Sequence, residues 1–119
     1  MKTVLIATKK PFAPEARDAA VSIMEKQGLE VRLLESYTSQ DELRQALDDV
    51  NGVIIRSDDF GEQETIHAGT ELELIVRAGA GYDNINTQYA EEQGITVENT
   101  PGQNADSVAE LALQLMHRS

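Results

Sequence analysis

Two arginines and a pair of glycines are the residues of this sequence best suited to chemistry. Arg77 directly precedes Ala78-Gly79-Ala80-Gly81, and upstream Arg56 precedes Ser57-Asp58-Asp59. A guanidinium grips a carboxylate or phosphate in a fork and stays charged at any relevant pH. Two glycines leave successive backbone amides open to an anion, and small Ala78 and Ala80 do not block its approach. The chemistry expected is anion binding. The competing reading is a pair of solvated arginines matched with surface acids. Residue pattern alone leaves both open.

The same loop starts G-x-G after an apolar run, so a dinucleotide fingerprint must be weighed. Asn84 stands where the third glycine should be, and the helix that follows begins several residues late. That glycine lets helix and strand pack closely, which a bulky polar residue does not. The histidines offer less. His67 falls in a weak helix, and His117 ends the last helix, where a cation suits the dipole. Neither joins a cleft constellation. The sequence has no cysteine, so a disulfide, a thiolate metal site and a cysteine nucleophile are all excluded.

The elements that must position these residues read as five alternations of apolar run and amphipathic stretch. Strands are expected at Thr3–Thr8, Leu29–Glu35, Gly52–Arg56, Glu73–Arg77 and Ile95–Glu98. The first helix starts at Pro14, lines one face with Ala16, Ala20, Ile23 and Gln27, and stops at Gly28. Ser39 and Glu42 form a capping box for the second, whose apolar stripe is Leu43, Ala46, Leu47 and Val50. Weaker helices follow around Glu62–Ala68 and Thr87–Gln93. The last, Ala105–His117, carries Val108, Leu111, Ala112, Leu115 and Met116 on one face. Such alternation implies an α/β fold: a parallel sheet with helices on both sides. For five strands the expected arrangement is flavodoxin-like, order 2-1-3-4-5, with ligands beyond the carboxyl ends of the strands. Both arginines end strands, and their guanidinium groups are expected in one crevice.

The whole composition narrows the partners. The 119 residues make one domain, and ten basic against twenty-one acidic residues give a net charge of -11. Phosphate-rich partners need clustered Lys and Arg, so neither nucleic acid nor an anionic membrane is expected. Apolar runs such as Val4–Ala7 are too short to span a bilayer, and the N-terminus lacks the pattern of a signal peptide. A soluble, cytoplasmic protein is the expectation.

From Arg77 onward the motifs become specific. RAGAGYDNIN, followed by GITVENTPGQNADSVAELALQLM, resembles the end of the substrate-binding domain of the D-2-hydroxyacid dehydrogenases. Upstream, TKKPFAPEA and GVIIRSDDF are similar to the phosphoglycerate dehydrogenase branch, so the resemblance spans essentially the whole chain. It implies that Arg56 and Ser57 contact the anionic groups of the substrate, and that Arg77 with the Ala78 and Gly79 amides holds a carboxylate or phosphate. Ala80 would border the nicotinamide, although some relatives carry a hydroxyl residue there. Asn99, Thr100, Pro101 and Gly102 would form the crossover to a second domain. Asn104, Ser107 and Val108 would begin the interdomain helix, residues 104–117, beside the cofactor cleft. In that family the nucleotide-binding loop and the catalytic arginine, acid and histidine come later than residue 119. The resemblance thus implies a substrate-binding half, inactive alone, without its own cofactor, from a family that uses NAD. A full-length relative would oxidise 3-phosphoglycerate in serine biosynthesis.

Two other readings stand beside this one. A stand-alone flavodoxin-like binding or signalling domain would want acids after the first strand and a lysine after the fifth. The sequence has Lys9-Lys10 and Asn99-Thr100 there, and only Asp58-Asp59 after the third strand fits. An excised or naturally truncated fragment is the other. For assembly, a monomer with the last helix folded back, burying Val108, Leu111 and Leu115, is expected over a dimer that swaps residues 104–117. Any small anionic 2-hydroxy acid would bind weakly.

Overall fold

Thr3–Thr8 is buried along its whole length, and this run forms the central strand β1. The computed structural model describes residues 2–8, 12–56, 63–78, 86–100 and 105–116. After β1 come α1 (Pro14–Lys26), β2 (Glu30–Glu35), α2 (Gln40–Ala46), β3 (Gly52–Ile55) and α3 (Gln63–Ala68). They are followed by β4 (Leu74–Ala78), α4 (Thr87–Glu92), β5 (Thr96–Thr100) and α5 (Ala105–Met116). The strands form one sheet in the order β2-β1-β3-β4-β5, every neighbouring pair parallel. This is the expected α/β architecture.

The pleat divides the sheet's side chains between two apolar layers. Val4, Ile6, Ile54, Leu74, Val76 and Ala78 face Ala20 and Met24 of α1 and Val108, Ala109, Ala112 and Met116 of α5. Leu5, Ala7, Val53, Ile55 and Ile75 face the other way, onto Leu43, Ile66 and Ala90 of α2, α3 and α4. Period-two alternation in β1, β3 and β4 therefore sets which helix each strand residue meets.

Local signals in the sequence explain several element ends. Gly28, with φ of 92°, and Gly94, with φ of 79°, stop α1 and α4 in the left-handed region. Both make the same closing pair of bonds: Leu29 N donates to Met24 O and Gly28 N to Glu25 O; Ile95 N donates to Ala90 O and Gly94 N to Glu91 O. In each case the next apolar residue, Leu29 or Ile95, is buried. Ser39 and Glu42 form the expected capping box on α2. Three expectations are corrected. The fully buried anchor of α1 is Met24, and Gln27 is exposed beyond the helix. In α5 the innermost positions are Val108, Ala109, Ala112 and Met116, with Leu111 and Leu115 half-buried on the flanks. The third strand ends at Ile55, whereas the fourth reaches Ala78 and the fifth Thr100.

Candidate anion site at the carboxyl edge of the sheet

Ile55 of β3 is the register partner of Arg77 in β4, and Arg77 is in turn the partner of Asn99 in β5. The next rung pairs Ala78 with Thr100, whose hydroxyl donates to Arg77 O at 3.5 Å. Arg77 and Arg56 therefore both sit at the carboxyl edge, where ligands of open parallel sheets bind.

They do not share a face. Arg77 alternates with Val76 and Ala78 and so follows Ile55 and Ile75 toward α2, α3 and α4. The Arg56 guanidinium lies over the ring of Phe12, 4.8 Å from its centroid, and Phe12 belongs to the layer under α1 and α5. The single crevice expected for the two cations becomes two positions, one on each side of the sheet edge. The physical reason is the pleat: Arg56 follows Ile55 by one residue, and one residue reverses the direction of the side chain.

The other described arginines pair with carboxylates outside β3 and β4. Arg17 donates to Asp18 at 3.0 Å and to Glu35 at 2.9 Å, which raises its pKa above the ordinary arginine value. Arg32 is held at 2.6 Å by Asp49, and Arg44 at 2.8 Å by Asp41. Arg56 and Arg77 are set apart from these by position: both stand at the carboxyl edge of β3 and β4.

Of the remaining site residues, Ala78 is buried, its methyl part of the α1–α5 layer. Ser107 is exposed on the first turn of α5. Val108 is 1% exposed and packs into the core between α5 and the sheet. Ser57, Gly79, Ala80 and Asn104 lie outside the described residues. Phe12 was not singled out from sequence as a site residue; the available signal was an aromatic between the first strand and the proline that opens α1.

A dinucleotide does not fit the elements around β4. In a fingerprint turn the pyrophosphate rests on the amino end of a helix that begins at the glycines. Here α4 begins at Thr87, well beyond Gly79 and Gly81, is six residues long, and has its amino end capped by the Asn86 side chain. A cleft of about 230 Å³ lined by Ile66, His67, Leu72 and Ile95 lies at the opposite, amino end of β4 and β5, away from both arginines. Among the described residues, no three His, Asp or Glu side chains are placed to hold a metal ion, and no helix is long and apolar enough to cross a membrane.

Comparison with known proteins gives this edge a context. Residues 5–113 match the family described as D-isomer specific 2-hydroxyacid dehydrogenase, catalytic domain. A hydroxypyruvate reductase of Thermotoga maritima is 43% identical over 103 residues, covering 87% of this chain and 33% of the relative. A D-3-phosphoglycerate dehydrogenase of Archaeoglobus fulgidus is 39% identical over 113 residues, 95% of this chain and 20% of the relative. The crystal structure of NAD+-bound 3-phosphoglycerate dehydrogenase from Entamoeba histolytica superposes with a TM-score of 0.82 at 43% identity, covering 97% of this chain and 38% of that one. The chain thus spans a fifth to a third of these two curated relatives.

Proposed function

Because this chain belongs to the D-isomer specific 2-hydroxyacid dehydrogenase family, we propose that its 119 residues are the half that recognises and orients a small 2-hydroxy or 2-keto acid. The observation that carries this is the placement of Arg56 and Arg77 at the carboxyl ends of adjacent parallel strands. Two guanidinium groups on opposite sides of one edge suit a ligand with two anionic ends. One end is taken by Arg77 with the Ala78 and Gly79 amides, the other by Arg56 with Ser57. D-3-Phosphoglycerate has a carboxylate and a phosphate and meets that requirement; as its dehydrogenase, the whole protein would act in serine biosynthesis. Hydroxypyruvate has only the carboxylate and would engage one end.

Hydride transfer needs a bound nicotinamide, and proton transfer needs a positioned acid–base. The chain covers 38% of the NAD+-bound Entamoeba histolytica enzyme, and we assign both requirements to the part of the whole protein that this match leaves uncovered. The half alone then binds weakly and turns nothing over.

Titration with D-3-phosphoglycerate followed by NMR tests the assignment. Saturable shifts are expected at Arg56, Arg77, Ala78 and Gly79, larger than those given by hydroxypyruvate. Arg77→Met should weaken binding roughly ten- to a hundredfold, the range of a hydrogen bond to a charged group of about 1.5–3 kcal/mol. Shifts confined to other parts of the chain, or NADH produced from NAD+ by this chain alone, would overturn the proposal.

A further inference from the structure

Phe12 is a core residue with a second neighbour that the core does not require. The residue is 7% exposed and packs in the same layer as Ala20 and Met24 of α1. A leucine would fill that volume with comparable burial. What leucine lacks is a π face, and the Arg56 guanidinium lies over that face, 4.8 Å from the centroid. The ring quadrupole attracts the cation without using any of its five N–H donors. An arginine on a free stem loses much rotamer freedom when it binds; one already held over a ring has lost part of it beforehand.

We propose that Phe12 is a positioning residue for Arg56. It fixes the guanidinium on the α1 side of the sheet edge, so that the cation meets the second anionic group of the ligand already oriented. This rests on the reading of Arg56 as a substrate contact. The ring sets where that contact is made, and hence the spacing between the two anionic groups the edge accepts.

The test uses the full 119-residue chain, labelled for NMR, with D-3-phosphoglycerate as the probe and the variants Phe12→Leu, Phe12→Tyr and Arg56→Ala. In the unmodified chain and in Phe12→Tyr, the side-chain signals of Arg56 should carry a ring-current shift that Phe12→Leu abolishes. Phe12→Leu should weaken binding roughly two- to fivefold, the range of an exposed cation–π contact, and Phe12→Tyr should restore it. In the Arg56→Ala background, Phe12→Leu should have no further effect. Amide shifts of Val4, Ile6 and Met24 report on the core, and Phe12→Met replaces Phe12→Leu if the latter does not fold. An equal loss on Phe12→Leu with or without Arg56 assigns the ring a packing role alone and overturns the proposal. Binding unchanged by Phe12→Leu but weakened by Arg56→Ala overturns it too, and leaves the substrate reading standing. Binding unchanged by Arg56→Ala removes the reading itself, and the proposal with it.

Discussion

Asp49 accepts a hydrogen bond from Arg32 at 2.6 Å, and this bond holds its carboxyl below the ordinary aspartate value. A group whose folded pKa is depressed stabilises the protein above its unfolded pKa, and that contribution disappears as pH falls through the folded value. Asp49→Asn should therefore lower the melting temperature slightly at pH 7 and leave it nearly unchanged near pH 2. Thermal melts of both proteins at the two pH values check this; an equal difference at both would refute it. The exposed position keeps the effect small. Residue identities of this kind were plain in the sequence, whereas their pairings across the fold were not. Arg56 and Arg77 could be read as anion ligands from their neighbours, but their separation onto two faces depends on where β3 ends. Gly69 makes the same point. A Cβ there would stand 2.9 Å from Leu72 Cβ, a closeness of packing that a lone glycine in a turn does not announce.

Ser39 and Glu42 close the amino end of α2 reciprocally: Glu42 N donates to Ser39 Oγ, and Ser39 N donates to Glu42 Oε2. A seven-residue helix has little propensity to spare, so its cap matters. Ser39→Ala should cost about 1 kcal/mol in urea unfolding with an unchanged m-value. A loss well under that would show that burial of Leu43 and Leu47 holds the helix without the cap. Caps and glycine stops were legible because their chemistry is local: Ser39, Gly28 and Gly94 each act on neighbours in sequence. The end of β5 was not. Asn99 and Thr100 are polar and look like loop, yet their partners Arg77 and Ala78 extend the ladder to include them. Met24 was missed in α1 for a related reason, since the stripe shifts toward whichever neighbour it meets, here α5.

The strand order was legible because alternating strands and helices, joined by short connections, leave few ways to wind a parallel sheet. Placement of the last helix was the least constrained element, since its apolar face, opposite exposed Asp106, Ser107, Glu110 and Gln114, could be covered by its own sheet or by a second copy. In the fold, α5 packs on α1, β3 and β4 of the same chain. The outer strand β2 presents Glu30, Arg32 and Glu35, charges that discourage pairing with another copy along its free edge. A monomer is the expected state in solution. Light scattering should give the mass of one chain, and a dimer mass would indicate that residues 104–117 exchange between copies. The net charge of -11 adds mutual repulsion between copies. It also sets the two edge arginines against a generally anionic surface, so that anion binding here depends on position more than on overall attraction.

The alternation in β4 has a consequence for how this sequence can change over time. Val76 and Ala78 lie against α1 and α5, while Arg77 between them points to the other side. Deleting or inserting a single residue upstream in the strand would leave the composition nearly intact but exchange the two sets. Arg77 would be driven against Ala109 and Ala112, and Val76 (on insertion) or Ala78 (on deletion) would take its place at the edge. Substitutions along β4 can be graded by size and polarity, but a change in its length has no mild form. What inheritance must preserve there is a count of residues, and the arginine keeps its outlet only while that count stays fixed.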